Sequence, residues 1–165
     1  GLLYPKMNDN SQNVDNKIGR LSLIITGIIV ITILSGGFVA GTRAGFAFNT
    51  FPLMDGRLIP AGLFDLSPLW RNFFENIVTV QFDHRVLATL LFIMIPVFWL
   101  KAGKIELQPL ARTGRHLLLA ALALQLVLGI STLLLVVPVA LAAAHQAGAI
   151  ILLTAALFIS QQLHR

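Results

Sequence analysis

Residues 76–100 read NIVTVQFDHRVLATLLFIMIPVFWL. As a helix rising about 1.5 Å per residue, this stretch crosses the roughly 30 Å of hydrocarbon in a bilayer. Its polar residues crowd its beginning, Gln81-Phe82-Asp83-His84-Arg85, and from Val86 to Leu100 the only hydroxyl is Thr89. An imidazole inside a membrane span costs free energy unless something binds it, so His84 calls for a partner. The matching residue is His145, in Ala144-His145-Gln146.

Working outward, the chain has 165 residues, 56% of them hydrophobic and 12% charged. That balance belongs to an integral membrane protein, not to a soluble domain. Three further apolar runs predict three further spans, giving helices over about 21–40, 76–100, 116–137 and 139–163. The fold class expected is all-α, an antiparallel four-helix transmembrane bundle over residues 21–165. Residues 1–20, rich in Asn and Asp, read as a polar cytosolic linker or loop. Residues 41–75 form the one long connection, an outer loop whose prolines and aromatics suit short amphipathic pieces on the membrane surface. Gly37, Gly41 and Gly45 recur at every fourth position, which fits either close helix packing or helix termination.

The net charge of +5 does not point to nucleic acid, because the basic residues flank apolar runs instead of forming a stripe with aromatics. They do orient the chain. Lys6, Lys17, Arg20, Lys101, Lys104, Arg112, Arg115 and Arg165 fall on one side, and Arg43, Arg57, Arg71 and Arg85 on the other. The positive-inside rule then puts both ends of this piece on the cytosolic or matrix side.

Counted from the cytosolic ends of their spans, His84 and His145 differ in height by roughly 3 Å. Cysteine is absent, which excludes thiolate metal sites and thioether haem attachment but leaves a histidine-only ligand set. Two imidazoles from facing helices suit the axial positions of a haem iron, whereas zinc asks for three or four ligands. Arg85, Arg43, Arg57 and Arg71 are cations on the same side, able to meet haem propionates. For Arg85 a snorkelling side chain at headgroup level is the competing role. Histidines bonded only within the bundle are the competing reading of the pair. His116 and His164, at the opposite ends of the spans, read as interfacial residues.

Several blocks carry a family resemblance. Gly41-Thr42-Arg43-Ala44-Gly45, Asn49-Thr50-Phe51-Pro52-Leu53-Met54, Ser67-Pro68-Leu69-Trp70-Arg71-Asn72-Phe73-Phe74-Glu75-Asn76, Gln81-Phe82-Asp83-His84-Arg85, Leu128-Gly129-Ile130-Ser131-Thr132 and Ala144-His145-Gln146-Ala147-Gly148 occur in order. Together they resemble the C-terminal half of the haem A synthase family, which serves cytochrome oxidase assembly. The resemblance implies an eight-helix parent of two four-helix halves and a reaction that oxidises a ring methyl of haem O to a formyl group. It implies that His84 and His145 ligate a haem b in this half; Arg85 and Arg43, on the same side, and Gln81, one turn before His84, are the other residues expected beside the cofactor. The haem O site would belong to an N-terminal half, where a glutamate precedes the first histidine by three residues. Here that position is Gln81, which carries no charge and cannot act as a carboxylate base; no catalytic residue is therefore expected in this half. The implied partners are the N-terminal half, an electron donor protein, haem O synthase or oxidase assembly factors, and membrane lipid. The implied location is a bacterial or mitochondrial inner membrane. A b-type electron-transfer subunit without catalytic chemistry is the alternative that the residues also allow.

Overall fold

A computed structural model describes residues 9–164, with side chains from Asn16 onward. Four long helices dominate it: α1 (Asp9–Gly41), α3 (Ile77–Ala102), α4 (Pro109–Leu134) and α5 (Val139–Leu163), with a single-turn α2 (Asn72–Glu75) before α3. All four are long and apolar enough to cross a membrane. Among the described residues there is no strand, only an isolated bridge between Met54 and Arg57 around Asp55 and Gly56.

Two boundaries differ from the sequence reading. Residues 9–20, expected as a polar segment ahead of the first span, continue its helix; residues 1–8 lie outside the described part. Once a span nucleates a helix, each added residue costs little, and residues 9–17 contain neither Gly nor Pro to stop it. Packing also starts early, since Ile18 is buried and Gly19 lies against the His164 ring. Likewise α4 begins at Pro109 instead of near His116, because proline at the first helical turn needs no N–H partner and the polar residues after it tolerate the interface. It stops at Leu134, short of Val137, where Val136 and Val137 turn through positive φ. Proline 96 lies inside α3 without ending it.

The helices form a ring in which α1 touches α3 and α5, and α4 touches α3 and α5. Particular contacts fix their directions. Ser22, early in α1, meets Ser160, late in α5, while Ser35, late in α1, meets His84, early in α3. Trp99, late in α3, meets His116, early in α4. One end of the ring thus gathers the start of α1 and α4 with the finish of α3 and α5; the other end carries the 42–76 connection.

Burial divides the bundle between these ends. The buried apolar cluster, including Ile25, Ile29, Ile95, Phe98, Leu118 and Ile159, runs from the end away from the 42–76 connection to about the middle of the bundle. At the loop end, Gly36, His84, Ala88, Gly129, Ala142 and His145 are only partly buried.

Candidate functional site

The loop end is built on asparagines. Asn72, fully buried, accepts from Leu66 N at 2.9 Å and donates to Leu66 O and Leu69 O at 2.8 and 2.9 Å. Asn76 caps α3, accepting from Val78 N at 2.9 Å and Thr79 N at 3.3 Å, and donates to Gly62 O at 2.8 Å. A capping side chain satisfies donors that the first helical turn would otherwise leave orphaned. These bonds set where α3 begins and hence the height of His84.

One turn further in, Gln81 and Arg85 grip the loop. Gln81 Nε2 donates to Phe48 O at 3.1 Å; Arg85 donates to Phe48 O at 2.9 Å and Leu53 O at 3.2 Å. Asn49 extends the tie to α4 through Leu133 O at 3.0 Å. Gln81 Oε1 and Arg85 Nε are buried without a partner among the described residues.

His84 is held on two sides. Its Nδ1 lies 2.8 Å from Ser35 Oγ, and Ser35 Oγ donates to Thr32 O at 2.9 Å. A hydroxyl has one proton, so with that proton on Thr32 O the serine oxygen accepts from His84 Nδ1–H. The lone pair is then left on Nε2, the arrangement in which a histidine ligates metal. The ring also rests on Gly36, where a Cβ would come 3.2 Å from His84 Cε1.

His145 repeats this on the other hairpin. Its ring rests on Gly129 of α4, where a Cβ would come 2.8 Å from Cε1, and its Nδ1 is buried without a partner. Gln125 donates to His145 O at 2.9 Å. Each histidine is therefore seated on a glycine of the preceding membrane-spanning helix. The two rings start about 10 Å and 9 Å in from the first residues of α3 and α5, at the same end of the ring.

The remaining expected residues scatter. Arg43 is exposed and sits in the left-handed region, φ 56°, where the chain leaves α1. Arg71 pairs with Glu75 across one helical turn, an exposed pair in which the guanidinium hydrogen bond holds the Glu75 carboxyl below its ordinary range. His116 and His164 lie at the opposite end, the first against Trp99 and the second against Gly19. Sequence reasoning passed over Ser35 and Gln125, whose roles depend on contacts across helices. Of the Gly37, Gly41 and Gly45 repeat, only Gly45 makes a close contact, with Val137, while Gly37 and Gly41 face open space; Gly36 lies under His84.

The donor set fits a haem. Among the described residues no group of three or more His, Cys, Asp or Glu converges, so a metal cage of side chains lacks its ligands. A porphyrin iron asks the protein for two axial nitrogens only. One histidine with its Nδ1 against Ser35 and one with an unpaired buried Nδ1, at the same end of the bundle, suit that demand.

The fold defines a multi-pass membrane protein, with a histidine in each of two of its spans. The chain belongs to the cytochrome oxidase assembly protein family, COX15-CtaA, whose sequence model matches residues 2–157. It is similar to a heme A synthase of Nitrosospira multiformis, 58% identical over 146 residues, which are 88% of this chain and 41% of that protein. A heme A synthase of Nitrosomonas eutropha is 52% identical over 164 residues, 99% of this chain and 46% of that protein. Heme A synthase COX15 of Arabidopsis thaliana is 47% identical over 149 residues, 90% of this chain and 33% of that protein. The chain thus spans less than half the length of these curated relatives. No solved structure matches it.

Proposed function

We propose that these residues form the C-terminal, haem b-holding half of a haem A synthase, with His84 and His145 as the two axial ligands. The observation that carries this reading is the pair of imidazoles near one end of the bundle, each seated on a glycine of a neighbouring helix, the first with its Nδ1 at 2.8 Å from Ser35 Oγ. A haem held there supplies a one-electron redox centre. Ser35 keeps the proton on His84 Nδ1 and aims Nε2 inward; Gly36 and Gly129 fix how far each ring projects. Gln81 and Arg85 fasten the loop over the site and limit water. Arg85 Nε and the exposed Arg43 are the cations offered to propionates. Gln81 holds no charge, so the conversion of the haem O methyl to a formyl group is assigned to the N-terminal half.

The partners that follow are this N-terminal half, an electron donor protein, and haem O synthase or oxidase assembly factors. The membrane is a bacterial or mitochondrial inner membrane. Lys17, Arg20, Lys101, Lys104, Arg112 and Arg115 gather at the end away from the histidines, which supports placing that end in the cytosol or matrix.

Absorption spectroscopy of the purified full-length protein tests the ligands. A low-spin b-type spectrum lost in His84→Ala and in His145→Ala is expected; a spectrum unchanged in both variants refutes the assignment. Incubation of the same preparation with haem O and reductant separates an enzyme from a plain electron-transfer cytochrome, since only the former yields haem A.

A further inference from the structure

On the outer face of α1 and α3, beside the histidine end, lies a cleft of about 440 Å³. This is the size of a small-molecule site, and small-molecule sites are mostly apolar with a few polar groups that fix orientation. Leu34 and Phe38 of α1, Val80 and Leu87 of α3, and Phe73 supply apolar walls; Ser35 and Asp83 are the polar ones. The Ser35 hydroxyl is already engaged with Thr32 and His84. The Asp83 carboxyl has no hydrogen bond or neighbouring charge among the described residues.

Depth narrows what could answer that carboxyl. Helix α3 is about 39 Å long, so it overhangs a 30 Å hydrocarbon layer by about 4–5 Å at each end. Asp83 lies about 9 Å from its first residue, and thus about 4–5 Å below the hydrocarbon boundary. A phospholipid headgroup stays above that level, and an acyl chain brings no hydrogen-bond donor. An unanswered carboxyl at this depth is costly. A flat apolar ring bearing a hydroxyl satisfies both the carboxyl and the walls. Phe38 and Phe73 stand at the outer part of the cleft, where they can contact such a ring edge-on or offset, and Ile31 and Leu34 continue it toward the bilayer centre for a tail.

We propose that this cleft binds the ring of a lipid-soluble hydroquinone, one ring hydroxyl donating to the Asp83 carboxyl. Ser35 is the shared wall between the cleft and His84, so the ligand sits beside the histidine site. The binding rests on the cleft alone; its use as a membrane source of electrons, alongside the electron donor protein, rests on the haem reading proposed above.

Photolabelling of the full-length protein in detergent, with an azido-benzoquinol carrying a ten-carbon tail, tests it. Label is expected in peptides covering 31–38 and 80–87, and is expected to fall at least tenfold in Asp83→Leu and in Leu34→Trp. Unlabelled quinol is expected to compete, and its dimethyl ether, which has no hydroxyl, is not. Label elsewhere, label undiminished in both variants, or equal competition by the ether overturns the proposal, the last marking an acyl-chain groove only. The absorption spectrum is recorded on the same samples. An intact spectrum without labelling of the cleft defeats the quinol site alone, and specific labelling without a b-type spectrum defeats the haem reading alone.

Discussion

Gly129→Ala places a methyl carbon 2.8 Å from His145 Cε1, whereas carbon atoms settle at about 3.5–4.0 Å. The ring must therefore retreat by roughly 0.7–1.2 Å. Rotation of about 30° off a rotamer costs ~0.5–1.5 kcal/mol, and overpacking a filled site costs ~1–3 kcal/mol. Against this, alanine in place of a helical glycine gains about 1 kcal/mol. The net effect on folding is small, from near zero to about 2 kcal/mol. Ligation is less tolerant, because metal–ligand distances hold to about ±0.2 Å. The damage should therefore fall on the bound group and spare the fold. At Gly36 the corresponding contact is 3.2 Å, and the ring is restrained by Ser35, so Gly36→Ala asks for a displacement of only a few tenths of an ångström. Full-length protein is purified in detergent and followed by absorption, electron paramagnetic resonance and thermal unfolding. Gly129→Ala is expected to lose the low-spin bis-histidine signal with little change in Tm, and Gly36→Ala to keep most of it. An unaltered low-spin signal in Gly129→Ala, or equal loss in both variants, refutes the seating of the rings described above.

Ser35→Ala removes the acceptor for His84 Nδ1–H and should weaken haem retention about 10–100-fold, the usual consequence of losing a ligand's outer hydrogen bond; competition for haem by apomyoglobin measures it. Arg85→Lys cannot span Phe48 O and Leu53 O as a planar fork does. Losing one charged hydrogen bond should destabilise the loop by about 1.5–3 kcal/mol, seen as faster hydrogen exchange over residues 48–55. Asn76→Ala removes the α3 cap and its tie to Gly62 O, and should lower stability by about 1–2 kcal/mol and open the 61–66 segment to protease; equal digestion of wild type and variant would count against it.

The four spans were legible because membrane length and apolarity are properties of a run, and Ile77–Ala102 and Val139–Leu163 follow the expected limits to within two residues. Helix ends that continue through polar sequence were not, since nothing apolar marks Asp9 or Pro109. The histidine pair was legible because both residues are polar exceptions in apolar runs at similar depth. Their supports were not: Ser35 and His84 are 49 positions apart, and Gln125 and His145 are 20 apart. The glycine repeat was a partial guide, because its spacing of four does not say which neighbour each position meets: Gly37 and Gly41 meet none, and Gly45 meets Val137. Gly36, one residue off the repeat, is the one under His84. Arg85 was read as a cation for a ligand or for headgroups; its bonds to loop carbonyls could not be seen without knowing how the 42–76 connection folds back.

The confinement of the sealed apolar core to one end of the bundle bears on biogenesis. That end holds all four helices together through residues such as Ile25, Phe98, Leu118 and Ile159, so insertion into the bilayer can establish the topology through it. At the other end α3 and α5 face each other across the ring, linked mainly through α1 and α4. Under the proposed function, the sealed end can set the fold within the bilayer before the loop end receives its prosthetic group, like a clamp whose spring is already set when the jaws receive their load.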